Sequence, residues 1–145
     1  MQPADQADRL AIELAGAQRL ALGTMGLAGV YGPIPREVAQ RTIRAALDAG
    51  VTLFDTAPLY GDGMAECLLG TELAGQAAAV VTKFGLGAGR DGRLIRDSHP
   101  ASVRRSVETS LRRLRRDRDD VLLQHRPDPN VDDADDAGVL TLLVE

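Results

Sequence analysis

At 145 residues, with a net charge of −4 and a pI near 5.2, the chain has the length of one domain and no basic excess to draw it to a nucleic acid or an anionic membrane. A single cysteine, Cys67, excludes an internal disulfide framework, and four aromatics (Tyr31, Phe54, Tyr60 and Phe84) are too few for a base-stacking platform. No stretch approaches ~18 uninterrupted apolar residues, and the start lacks the basic and apolar parts of a secretory signal, so the expected setting is a reducing cytoplasm.

A polar leader runs to about Ala17, and 19–22 reads as a first strand closed by the turn Gly23-Thr24-Met25-Gly26. Pro35 opens a helix whose apolar stripe is Val38, Ile43, Ala46 and Leu47, with Gly50 where a terminating glycine belongs. The run 51–55 is a second strand. Gly61-Asp62-Gly63 leads into a helix from about Met64 to Leu73. The run 79–84 is a third strand, followed by a long glycine- and arginine-rich loop, 85–98. Pro100 begins a helix to about Arg116, with Val103, Val107, Leu111 and Leu114 at helical spacing. The run 120–124 is a fourth strand, ended by Pro127 and Pro129, and a last apolar segment, 139–144, reads as helical.

Strands alternating with helices predict parallel strands joined by right-handed crossovers, with chemistry at the carboxyl ends of the strands. Three ionisable residues occupy that level: Asp55 ends the second strand, Lys83 the third and His125 the fourth. Lys83 is also the only lysine among sixteen arginines. Arginine is a fixed cation, whereas lysine carries a compact and adjustable charge, so the one retained ammonium calls for a chemical reason. Taken singly, Asp55 reads as a cap or loop carboxylate, Lys83 as a snorkelling strand end, His125 as a core histidine and Tyr60 as a rim aromatic. Their common placement carries the expectation of a site. Cys67 is expected to pack among the leucines of its helix, Glu66 to bond backbone near the helix start, and Arg112, Arg113, Arg115, Arg116 and Arg118 to form a solvated face, with an anionic carrier or ligand as the alternative partner. No metal site is expected.

The segment Phe54-Asp55-Thr56-Ala57-Pro58-Leu59-Tyr60-Gly61, followed by Ala65-Glu66-Cys67-Leu68-Leu69-Gly70, resembles the signature of the aldo-keto reductase superfamily. Leu20-Ala21-Leu22-Gly23-Thr24-Met25-Gly26, Val80-Val81-Thr82-Lys83 and Leu122-Leu123-Gln124-His125-Arg126-Pro127-Asp128 are similar to that family's first, third and fourth barrel strands. The resemblance implies a catalytic tetrad. Tyr60 would be the proton donor to a carbonyl oxygen, Lys83 and Asp55 an ion pair that eases its deprotonation, and His125 the group that orients the carbonyl. It also places Gly23, Thr24 and Asp55 near a nicotinamide ribose. Met25 and Tyr31 are the candidate substrate-pocket residues, with simple packing as the alternative for Met25.

The family's barrel has eight strands and about 250 residues or more. The implied architecture is therefore a (β/α)4 half of a TIM-type barrel, one domain over 1–145, completed by self-association into a homodimer. Most NADPH contacts in the family come from the second half of the barrel, and no G-x-G-x-x-G loop stands in for them: 85–90 lacks the third glycine and a following helix. The leading expectation is thus an acid/base enzyme that works without a cofactor on a carbonyl- or hydroxyl-bearing small molecule, by dehydration, cyclisation or isomerisation. An NADPH-dependent carbonyl reductase built as a dimer of half-barrels is the alternative, and a non-catalytic binding module the second.

Overall fold

A computed structural model of the chain describes residues 20–89, 91–132 and 138. The polar leader and the segment 139–144 lie outside them. Four parallel strands, β1 (Leu22–Gly23), β2 (Leu53–Asp55), β3 (Ala79–Phe84) and β6 (Val121–Gln124), form one sheet in that order. Each crossover carries a helix: α1 (Arg36–Asp48), α2 (Met64–Glu72) and α3 (Pro100–Leu114). The register pairs Gly23 with Asp55, Asp55 with Val81, and Lys83 with Leu123. The segment after β3 departs from its expected form. It is not a plain loop but an antiparallel hairpin of β4 (Leu86–Ala88) and β5 (Leu94–Arg96).

The helices start and stop where the chain's punctuation directs. Pro35 precedes α1 with its carbonyl accepting from the amides of Val38 and Ala39, and Gly50 turns the chain out at φ +85°. Pro100 opens α3, and Arg115 closes it in the left-handed region. Along β3 burial alternates strictly: Val80, Thr82 and Phe84 are buried, and the residues between them are partly open. Val80 joins Ile43, Phe54, Leu68 and Leu69 in the core beneath α1 and α2, while Phe84 packs with Val103 and Val107 of α3. Each such side chain withdrawn from water contributes about 1.5–3 kcal/mol. Asp55 and Lys83 therefore stand on the other, open side of the sheet.

A buried polar link joins the layers. Glu66 of α2, fully buried, accepts from Thr82 Oγ1 of β3 at 2.8 Å and from Arg113 Nη1 of α3 at 3.2 Å. Neither partner is backbone, so the expected role of Glu66 is corrected: a fully buried carboxylate takes the two strongest donors that reach it. Arg113 and Arg116 likewise leave the expected solvated face. Arg116 donates to Asp120 and to the carbonyl of Ala78. Cys67 is exposed rather than packed.

At the entry to β6, both carboxylate oxygens of Asp119 are buried without a hydrogen-bond partner. Burial, with the charges of Glu66 and Asp120 adding to it and Arg116 opposing, pushes this carboxyl from 3.8 up to about 6. Between those values the folded state keeps a proton that the unfolded chain has lost, so stability falls as pH rises through that window. Discounted for the solvent screening of a partly open group, the cost is about 1–2 kcal/mol. Asp119→Asn should be more stable by that amount at pH 7, with the gain vanishing below about pH 4, as urea unfolding at several pH values would reveal.

Candidate active site

The turn between β2 and α2 delivers Tyr60 to the open end of the sheet. Gly61, Asp62 and Gly63 hold φ of +62°, +52° and +83° in succession, a left-handed run that glycine adopts freely and aspartate tolerates. It reverses the chain just after Tyr60, whose amide donates to Ala57 O at 3.0 Å and whose carbonyl accepts from Ala65 N. The Tyr60 ring is buried against Ala57 and Ala65, with Met25, Ala28 and Leu59 packed around them.

Lys83 reaches across from β3 to β2. Its Nζ donates to Asp55 Oδ1 and Oδ2, both at 2.7 Å, and to the carbonyl of Thr56 at 2.8 Å. All three ammonium protons are thereby engaged. The same Nζ lies 5.2 Å from the centroid of the Tyr60 ring, within the range of a cation–π contact. His125 follows directly on β6, its amide held by Phe84 O at 2.9 Å. Its ring meets that of Tyr60 edge-to-face, with centroids 5.9 Å apart and planes at 89°. Asp55, Tyr60, Lys83 and His125 are thus brought together from three strand ends and one turn.

The other expected site residues fall less evenly. Thr24 is closed off: its amide and its hydroxyl both donate to Asp55 O, at 2.9 and 3.0 Å. Gly23 lies beside it at the sheet edge, and a side chain there would meet nothing within 4 Å. Met25 packs beside Tyr60, whereas Tyr31 is 79% exposed with its ring next to Gly26, and none of the contacts that join the four residues includes it. Sequence reasoning missed Thr56. Its carbonyl takes the third Lys83 proton, and its buried hydroxyl has no partner. Its place directly after Asp55, where the strand ends and carbonyls come free, is the signal that could have found it.

Burial holds the His125 imidazole below its usual titration range, and Lys83 and Arg126 add to the effect while Asp55 opposes it. The ring is therefore neutral at pH 7. Because the folded state resists protonation, the stability this group confers is complete above pH 6.5 and is lost as pH falls from there toward the depressed value. His125→Gln should flatten that part of the stability–pH curve, measured by thermal unfolding between about pH 5 and 7. A slope unchanged by the substitution would assign it to another group.

The model of the "Aldo/keto reductase family" matches residues 19–145. Aldo-keto reductase YhdN of Bacillus subtilis (strain 168) is 37% identical over an alignment of 134 residues that covers 89% of this chain and 40% of that protein. The chain thus spans about 40% of the length of the curated relatives it matches. Among solved structures, the glycerol dehydrogenase AKR11B4 from Gluconobacter oxydans superposes with a TM-score of 0.80 at 41% identity, covering 88% of this chain and 41% of that one. The aldo-keto reductase AKR11C1 from Bacillus halodurans, in its holo form, gives 0.75 at 26% identity, covering 86% and 41%. The four-stranded parallel sheet with its helical crossovers is accordingly a partial β/α barrel.

Proposed function

The chain belongs to the aldo/keto reductase family, and on that premise we propose that Tyr60, Lys83, Asp55 and His125 carry the proton transfers of an NADPH-dependent carbonyl–alcohol interconversion. The observation that supports the reading is the convergence on one phenol of an ammonium at 5.2 Å and an imidazole ring at 5.9 Å. Tyr60 gives its hydroxyl proton to the substrate's carbonyl oxygen, and regains it in the oxidising direction. The Lys83 ammonium offsets the negative charge that proton loss leaves on the ring. Asp55 and Thr56 O fix that ammonium in place, since three short hydrogen bonds leave it no other orientation. His125, neutral at pH 7, offers one N–H to the same oxygen.

A nicotinamide, when bound, supplies the hydride of such a reaction. The rim between β1 and β2 fits the ribose–nicotinamide end of that cofactor. Gly23 leaves open space, and the Asp55 side chain is 36% exposed with lone pairs beyond those that Lys83 uses. Asp55 would hold the ribose and Gly23 would admit it. Thr24 contributes by holding Asp55 O with its amide and hydroxyl, which leaves that hydroxyl proton no part in binding the cofactor. The cofactor-free dehydration or cyclisation expected from the sequence gains no favouring observation from the fold or from the relatives.

The proposed substrate is a small aliphatic carbonyl or polyol. The likeness to a glycerol dehydrogenase and the scarcity of aromatics support that choice. Titration with NADPH followed by nucleotide fluorescence, then by its oxidation in the presence of short aldehydes, tests the reading. Saturable micromolar binding with aldehyde-dependent oxidation is expected. No binding at millimolar NADPH would defeat the cofactor part of it. Self-association of one half-barrel domain through its open sheet edges belongs to the same reading, and sedimentation should then give twice 15.4 kDa. A monomer at micromolar concentration would count against the dimer alone.

A further inference from the structure

On the outer, helical side of the molecule a groove of about 350 Å³ is lined by Arg36 at the start of α1, by Cys67 and Thr71 of α2, and by Arg112, Arg113 and Arg115 around the end of α3. Four arginines line it and, among the described residues, no carboxylate does, although the chain as a whole carries a net charge of −4. Like charges gathered in this way repel one another unless an anion lies among them.

The internal compensation is small. Arg113 is held by the buried Glu66. Arg112 donates to the hydroxyl of Thr109, which leaves its charge in place. Among the described residues Arg36, Arg112 and Arg115 form no ion pair, and Glu72, whose field reaches Arg36, is already bound by Arg44 and Gln40. The negative end of the α3 dipole amounts to about half a charge, against three guanidinium groups without an ion pair among the described residues, and the positive end of α1 at Arg36 adds to the excess. The hydroxyls of Thr71 and Thr109 donate to the carbonyls of Cys67 and Arg105, so among the described lining residues the guanidinium groups are the strong donors left for a ligand.

We propose that this groove between α2 and α3 binds a phosphoryl-bearing small molecule, with Arg36, Arg112 and Arg115 as its ligands. Guanidinium forks match paired phosphate oxygens, and the groove's volume falls within the range of small-molecule sites. Its lining residues lie on the helices and at their ends, and none belongs to the cluster packed around Tyr60, so its ligand acts as a regulator or an anchor and not as the reacting substrate. The inference stands independently of the reading given to Tyr60.

Cys67 is the chain's one cysteine, is exposed and lines the groove, so its alkylation reports occupancy. Inorganic pyrophosphate is the probe, with sodium chloride at matched ionic strength as the control for screening. Pyrophosphate should slow maleimide labelling of Cys67 saturably, while chloride should not. In the double variant Arg112→Gln/Arg115→Gln the concentration needed for half-protection should rise about tenfold or more. Arg36→Gln, on a separate helix, should raise it as well, which keeps the test open if the double variant folds poorly. Equal protection by pyrophosphate and chloride, or protection unchanged in the variants, would overturn the proposal.

Discussion

Replacing Tyr60 by phenylalanine should lower carbonyl turnover by about 10²–10⁴-fold while leaving the thermal midpoint nearly unchanged. The substitution keeps the ring, and with it the packing against Ala57 and Ala65, the edge contact with His125 and the facing Lys83 ammonium. Only the hydroxyl is lost, and among the described residues no hydrogen bond within the chain holds it. The loss corresponds to about 3–5 kcal/mol of transition-state stabilisation, at 1.36 kcal/mol per tenfold. A fall in kcat with cofactor affinity preserved would place the hydroxyl at the proton transfer. Full turnover in the variant would sink the acid/base reading, whatever the fate of the cofactor.

Gly70→Ala should destabilise the protein by about 3 kcal/mol or more, with no change in the chemistry of the Tyr60 site. Alanine is the better helix former by about 1 kcal/mol, so on an exposed helix the same change would stabilise. Here a Cβ would stand 2.3 Å from the carbonyl oxygen of Arg113 and within 3 Å of the Leu114 backbone. Those are backbone atoms of α3 and cannot rotate aside, so α2 and α3 must separate. Separation would also pull Arg113 from Glu66, stranding a fully buried carboxylate. Urea unfolding checks the sign: a gain in stability would mean that α3 yields easily and that the contact is not tight.

Where one periodicity dominates, the sequence read well. β3 occupies 79–84 as expected, because a six-residue apolar run between glycine-rich and polar flanks has few other uses, and α3 follows from Pro100 and its spaced valines and leucines. The convergence of Asp55, Lys83 and His125 was legible from their shared position at strand ends. The hairpin of β4 and β5 was not. Its strands are three residues long and largely exposed, so no alternation marks them, and their pairing is set by the turn around Gly89 and Gly92. The inward reach of Arg113 was hidden for a related reason. Its partner Glu66 is 47 positions away, and what admits the guanidinium is the missing side chain of Gly63, a contact with no local signature.

The single lysine has a further consequence for how the molecule can be cut. A protease specific for lysine has one bond to attack, between Lys83 and Phe84. That bond lies in β3, which is paired on one side with β2 and on the other with β6. Neither strand needs to fray for the outer hairpin to move, but both must part before this peptide can enter a protease cleft. Nicking at this one site, yielding two fragments, therefore counts openings of the sheet's interior, and the chain carries its own gauge of how often the strands come apart.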